Sequence, residues 1–147
     1  MLNTQTVANT FIMLGFNDGI SITPMKLQKL VYLLYKAYLQ KTDTPLFQEK
    51  FSKWKYGPVL PSLYYEFQSF GASPITKFAR NASGAINVID LDAISPAATA
   101  IMVVWNKYKK YSAVELSRFT HRAGGAWSKA DYGVLNDEDI KNEPEFI

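Results

Sequence analysis

The sequence contains no cysteine, and this absence removes several classes of protein at once. A disulfide-stapled fold, a cysteine-ligated zinc or iron–sulfur site and a cysteine nucleophile are all excluded. Histidine is almost as scarce, because His121 is its single occurrence. A lone histidine near a predicted helix end more often caps carbonyls or packs on a nearby ring, here Trp127, than it acts as a general base. We therefore predict no metal site, no cofactor and no enzymatic activity.

Phosphate-binding motifs and long apolar runs are also lacking. Neither GxGxxG nor GxxxxGK[ST] occurs, so no phosphate cradle is signalled. No apolar stretch is long enough to span a bilayer, and residues 1–16 carry no Lys or Arg ahead of their apolar run, unlike a secretory leader. The expectation is a cytoplasmic protein with no membrane contact.

Positive charge is nearly absent from the end of the chain. The net charge is +3, yet residues 131–147 hold six acids and one lysine, whereas residues 1–130 hold fifteen bases and seven acids. A basic body attracts nucleic acid or an acidic protein surface, unless the acidic tail folds back on it. Only three of the bases are Arg, the residue that most often reads base edges, so nucleic-acid binding is the weaker interpretation.

Helix signals are frequent in what remains. Thr23-Pro24 and Ser95-Pro96 each place a capping residue before a proline, and Ser112 precedes Glu115 as in a capping box. These patterns predict helices that begin at the three sites. Further helices are predicted at residues 4–16, 61–70 and 137–141.

The β content is predicted to be small. Residues 51–56, FSKWKY, alternate in the manner of an extended segment, and residues 75–89 are interpreted as a hairpin that turns at residues 81–84. The predicted fold is mainly α, a compact single domain of about five or six helices with a small β-hairpin or extended element. It is expected to span residues 1–147, with 131–147 as an acidic C-terminal tail.

The predicted helix MKLQKLVYLLYKAYLQ is apolar around most of its circumference, so we expect several neighbours to pack on it. Lys26, Lys29 and Lys36 share the narrow polar strip that is left. We expect this strip to project from the domain. Lys53 and Lys55 are expected to project nearby, from the extended segment.

The stretch WKYGPVLPSLYYEF combines two rings, a Gly-Pro and a second proline. Trp54 and Tyr56 are expected to pack on the central helix, while Gly57-Pro58 sets the turn. Gly57 precedes a proline, which suggests backbone angles that other residues avoid or a close contact. The turn would also frame a partner-binding surface, because rings on a fixed backbone lose little entropy on binding.

Three blocks carry a family resemblance: ITPMKLQKLVYLLYKAYL, PLFQEKFSKWKYGPVLPSLYYEF and AVELSRFTHRAGGAW. In this order and spacing the chain resembles the Panacea domain family, the SocA-like and GepA-like antitoxin proteins of bacteria and prophages. The structural motif lies in the second and third blocks and consists of Trp54, Tyr56, Gly57, Pro58, Val59, Pro61, Thr120, His121 and Trp127.

The resemblance implies an antitoxin that neutralises a toxin encoded by a neighbouring gene, by direct protein contact. One branch of the family is thought to hand its toxin to a cellular protease. No catalytic residues are implied. The partner-binding residues that we predict are Lys26, Lys29, Lys36, Lys53, Lys55 and Tyr64. The alternative is a DNA-binding regulator of phage or prophage genes.

Overall fold

The second helix, α2 (Pro24–Thr42), is the element around which the rest of the chain folds. The computed structural model describes residues 1–131 and 133–145, over which seven α-helices form. The other helices are α1 (Thr4–Asp18), α3 (Pro61–Phe67), α4 (Pro96–Tyr108), α5 (Ala113–Thr120), α6 (Ala126–Lys129) and α7 (Asp137–Lys141), with a 3-10 turn at Gln68–Phe70. The helices α1, α3, α4, α5 and α7 pack directly on α2. The prediction of a mainly α fold is confirmed.

One two-stranded antiparallel sheet forms within the described residues, from β1 (Ser52–Trp54) and β2 (Gly57–Val59). The extended prediction for residues 51–56 is therefore confirmed over β1. None of the helices in the described part of the chain combines the length and apolar character needed to cross a bilayer.

Local capping explains where the helices begin. Thr23 accepts a hydrogen bond from the backbone N–H of Lys26, Ser95 accepts one from Ala98, and Ser112 forms a capping box with Glu115. Each cap satisfies backbone donors that a first helical turn would leave unpaired. The helix starts predicted from these residues are confirmed.

The predicted hairpin at residues 75–89 is wrong. This segment forms no strands, and its turn is closed by the Asn81 side chain, which accepts from the backbone N–H groups of Ser83 and Ala85. The buried Asn9 of α1 takes the place of a neighbouring strand, since it accepts from the N–H of Ala79 and donates to the Ala79 carbonyl. A side-chain amide can satisfy a backbone segment as well as a ladder does, and no pattern in 75–89 itself reveals this.

The lysine strip of α2 is buried, which corrects the expectation that it projects from the domain. Lys26, Lys29 and Lys36 have relative exposures of 7%, 1% and 3%. Each ammonium donates to a backbone carbonyl of another segment: that of Lys109, Pro58 and Pro144 respectively. Neighbours cover the full circumference of α2 over residues 26–36, and long lysine stems can lie along apolar surface while the amine finds a polar partner.

The acidic tail folds back on α2, the arrangement that would neutralise part of the basic body. Glu143 is buried, where it lies 3.4 Å from the amine of Lys36 and accepts from the hydroxyl of Tyr32 at 3.0 Å and the N–H of Ala126 at 2.9 Å. Burial raises the pKa of this carboxyl, although the three partners favour its charged form. A buried charge requires such partners.

Replacing Glu143 should therefore cost far more than replacing a neighbouring acid at the surface. Glu143→Ala removes the buried carboxylate that pairs with Lys36, and we expect a loss of about 3–5 kcal/mol in the free energy of unfolding. Glu145→Ala is the matched control, because its pair with Lys107 is exposed and should contribute less than about 1 kcal/mol. Urea unfolding of both variants measures the difference. Equal losses would contradict this account of the tail.

Candidate protein-binding site

The turn between β1 and β2 is the most constrained backbone near the surface. Trp54 pairs with Gly57 across it, and Lys55 and Tyr56 form its tip. Gly57 has φ +118°, a region that side-chain-bearing residues rarely adopt. A Cβ at this position would also lie 2.8 Å from Nζ of Lys29 and 2.9 Å from Oγ1 of Thr120. The prediction that Gly57 has unusual backbone angles is confirmed.

Three successive carbonyl groups of this turn are held from behind by α5 and α6. The indole N–H of Trp127 donates to the carbonyl of Trp54 at 2.7 Å, and the hydroxyl of Ser117 donates to that of Tyr56 at 2.6 Å. Nε2 of His121 lies 2.8 Å from the carbonyl oxygen of Lys55. The turn is therefore fixed at each of its residues.

His121 has the structural role that the sequence predicted. Its Nδ1 lies 2.6 Å from the carbonyl of Ser117, one helical turn earlier, and its ring packs on Trp127 with centroids 4.0 Å apart. Sequence reasoning missed Ser117 itself. Ser117 lies four residues before His121, so both side chains share one helix face. This spacing could have identified Ser117 from the sequence.

Fixing the backbone from behind turns the rings outward. Tyr56 is 61% exposed and Tyr64 is 42% exposed, while Trp54 is half-buried and stands edge-on to Tyr64 with centroids 4.8 Å apart. The expectation that Tyr56 packs on α2 is wrong, and Trp54 is not a core ring. When the carbonyl groups of a two-residue turn all point toward the domain, a ring at the tip of the turn has no space on that side.

A cavity of about 430 Å³ opens beside this turn. Apolar and aromatic side chains make most of its wall, together with the polar residues Gln28, Lys29 and Lys55; the lining residues include Pro24, Met25, Trp54, Tyr56, Val59 and Tyr64. A second hollow of about 420 Å³ shares Met25 and Tyr56 and extends to Val114 and Arg118 on α5. Together they form a continuous concave surface with exposed rings.

The inner wall of the cavity carries a buried amine. Lys29 donates to the carbonyl of Pro58 at 2.9 Å, and burial lowers its pKa to about 7. No acid of the described residues forms an ion pair with it. Gln28 beside it is held by Leu60, because it donates to the carbonyl of Leu60 and accepts from the N–H of Leu60.

All three sequence blocks that carried the resemblance meet at this surface: α2, the β1–β2 turn with α3, and the α5–α6 region. A protein-family profile described as "Antitoxin SocA-like, Panacea domain" matches residues 27–128, more than half of the chain. The chain belongs to this family. The match includes the turn, Lys29 and the His121–Trp127 pair, and membership supports an antitoxin role in general.

A curated relative is similar over a longer stretch. Antitoxin SocA of Caulobacter vibrioides (strain NA1000 / CB15N) is 28% identical over 129 residues, which covers 86% of this chain and 69% of the relative. No solved structure matches.

The partner-binding residues predicted from sequence divide into two groups in this Panacea domain. Lys29, Lys55 and Tyr64 meet at the cavity. Lys26 and Lys36 are buried at other contacts of α2, so they cannot form an exposed row with Lys29.

Lys53 lies outside the cavity. Its amine donates to the carbonyl of Ala130 and lies 4.7 Å from the centre of the Trp127 ring. The residue therefore supports α6 from the side of the sheet rather than projecting into solvent.

Four of the motif residues have structural positions: Pro58, Val59, Pro61 and Thr120. Pro58 and Val59 are buried in β2, Pro61 opens α3, and Thr120 is fully buried beneath Gly57. Proline at a first helical position loses no hydrogen bond. These four residues hold the turn over α2 and α5.

We expect Gly57→Ala to destabilise the domain by at least about 2 kcal/mol, because it adds backbone strain to a steric clash. Gly84→Ala is the matched control: Gly84 also has a positive φ, +84°, but a Cβ there meets nothing within 4 Å. It should cost about 1 kcal/mol. Thermal or urea unfolding measures both variants. Equal effects would show that the contact with Lys29 and Thr120 contributes nothing.

The lowered pKa of Lys29 predicts that stability rises with pH. The folded protein releases this proton near pH 7, whereas the unfolded chain keeps it up to the ordinary value of 10.5. Between these values the unfolded state binds more protons, so the free energy of unfolding increases with pH. The pKa values of Lys26 and Lys36 are also lowered, primarily by burial, and act in the same direction.

Lys29→Met should remove the contribution of Lys29 to the increase of the free energy of unfolding with pH. Urea unfolding from about pH 7 to about pH 9.5 measures this increase. Lys55→Met is the matched control at the same cavity, because it removes an amine of the exposed turn and leaves Lys29 in place, so the rise in stability with pH should persist. If the Lys29→Met curve runs parallel to the wild-type curve, the amine is not desolvated as the structure indicates.

Proposed function

We propose that this chain neutralises a partner toxin by direct protein contact through an aromatic face made of Met25, Trp54, Tyr56 and Tyr64. The observation that carries the proposal is the exposure of Tyr56, on a turn that is fixed at three successive carbonyls, beside the exposed Tyr64 of α3. Family membership supports an antitoxin role, and this face is the means that we assign to it.

Entropy and desolvation both favour binding through an ordered aromatic surface. Association costs the freedom of every side chain and loop that it immobilises, so a surface that is already ordered binds at lower cost. Tyrosine and tryptophan dominate binding hot spots because they bury a large area with few rotatable bonds. Exposed rings around a concave apolar surface are a typical sign of an interaction site.

We further propose that residues 1–147 act as one antitoxin domain in the cytoplasm, a location consistent with the absence of cysteine. The toxin is expected from a neighbouring gene. Delivery of the bound toxin to a cellular protease would use the same contact and would be a later step. Lys26, Lys29 and Lys36 of α2 give the DNA-binding alternative no support, because they are buried.

The aromatic face is tested by removing its two exposed rings. We expect Tyr56→Ala with Tyr64→Ala to leave the melting temperature nearly unchanged and to weaken binding to the toxin at least about 100-fold, since hot-spot residues contribute about 2 kcal/mol or more each. Growth rescue should fail in cells that express the toxin. Co-purification and titration calorimetry with the neighbouring gene product measure the contact directly.

Phe16→Ala is the matched control. Phe16 is 47% exposed, close to Tyr64, and lines a separate cavity that shares no residue with the aromatic face. It should leave toxin binding and growth rescue intact. Full rescue by the folded double tyrosine variant would place the interface elsewhere on the domain.

A further inference from the structure

We infer that the cavity under the Tyr56 turn is a carboxylate-binding pocket, which takes an acidic side chain of the partner protein together with an adjacent apolar one. The ammonium of Lys29 is the group that recognises the carboxylate. This inference rests on the proposed function, because it names the chemistry of the partner segment that the aromatic face receives.

The first support is an incompletely engaged cation on the inner wall. Lys29 is 1% exposed and lines the cavity, yet its one hydrogen bond within the described residues goes to the carbonyl of Pro58. An ammonium carries three N–H donors. The contrast is Lys36 on the same helix, which pairs with the buried Glu143. Burying a cation without a counter-ion is costly, and the cost is removed when an anion arrives.

The second support is the sign of the charges at the cavity. Among the residues that the structure describes, Lys29 and Lys55 are the charged residues that line it, and no acid does. Lys55 is exposed at the rim, where a cation raises the association rate of an acidic segment more than its final affinity. Arg118 lines the adjoining hollow and adds to the positive field.

The third support is the shape and polarity of the rest of the wall. A volume of about 430 Å³ lies at the lower end of the range for side-chain or small-ligand pockets. Trp54, Tyr64, Val59 and Met25 offer apolar contact to a neighbouring side chain. A single buried ammonium matches the single charge of a carboxylate, whereas a phosphate carries more charge and commonly recruits arginine or several backbone N–H groups. A protein segment with an acid beside an apolar residue satisfies both parts of the pocket.

Proton linkage provides an additional signature. Burial lowers the pKa of Lys29, and a bound carboxylate would raise it again, so binding should take up a proton above pH 7. Besides Lys29, the titratable or charged groups that line the cavity and the adjoining hollow are Lys55 and Tyr56 of the turn, Tyr64 of α3, Arg118 of α5, and His121 directly after α5. None of these groups is an acid that could already serve as the counter-ion.

The test uses the full chain and two dipeptides that differ in one group. N-acetyl-Phe-Glu-amide carries the carboxylate, and N-acetyl-Phe-Gln-amide is its uncharged isostere. Chemical-shift titration at the Trp54 indole and the Gly57 amide reports binding. We expect the glutamate peptide to bind at least about 10-fold more tightly near pH 6, and this preference to shrink near pH 9.

Lys29→Met should abolish the preference for the glutamate peptide, whereas Lys55→Met should reduce it only partly. The inference is overturned if the two peptides bind the wild-type protein equally, or if neither peptide gives a saturable chemical-shift change at the cavity. This comparison needs no variant, so it holds even if Lys29→Met fails to fold. If the peptides bind equally while the double tyrosine variant still loses the toxin, the carboxylate pocket is wrong and the proposed function stands.

Discussion

Burial of residues 26–36 of α2 on every side is the constraint on which the remaining structure depends. A helix that is covered completely must satisfy its own polar side chains without water, because an unpaired buried polar group is costly. Lys26, Gln28, Lys29 and Lys36 each reach the backbone of a different part of the chain. These contacts hold the end of α4, the start of α3, the β1–β2 turn and the tail at set positions along α2.

The exposed surface follows from the same constraint. Lys29 requires an acceptor, Pro58 provides it, and the close approach leaves room only for glycine at position 57. The β1–β2 turn is then held by α5 and α6 through its carbonyls, so its rings face solvent. A rigid aromatic surface with a buried cation behind it is thus a consequence of how the helix is packed.

This arrangement is consistent with membership in an antitoxin family. A surface that is already ordered binds a partner at lower entropic cost, and the turn held at three successive carbonyls is such a surface. The acidic tail uses a related chemistry on another part of α2, where Glu143 lies beside Lys36 and Tyr32. The domain therefore already contains one carboxylate bound to a buried α2 lysine.

The sequence by itself determined every described helix except α6, the starting residues of α2, α4 and α5, the need for glycine at position 57 and the structural use of His121. These are local properties, because a cap, a proline or a positive φ acts within a few residues. Residues 75–89 show where local pattern failed, since the distant Asn9 satisfies their backbone. Only the tertiary structure decided that the α2 lysines are buried and that Tyr56 is exposed, because both depend on which remote segments supply the carbonyls, and a sequence pattern carries no record of those partners.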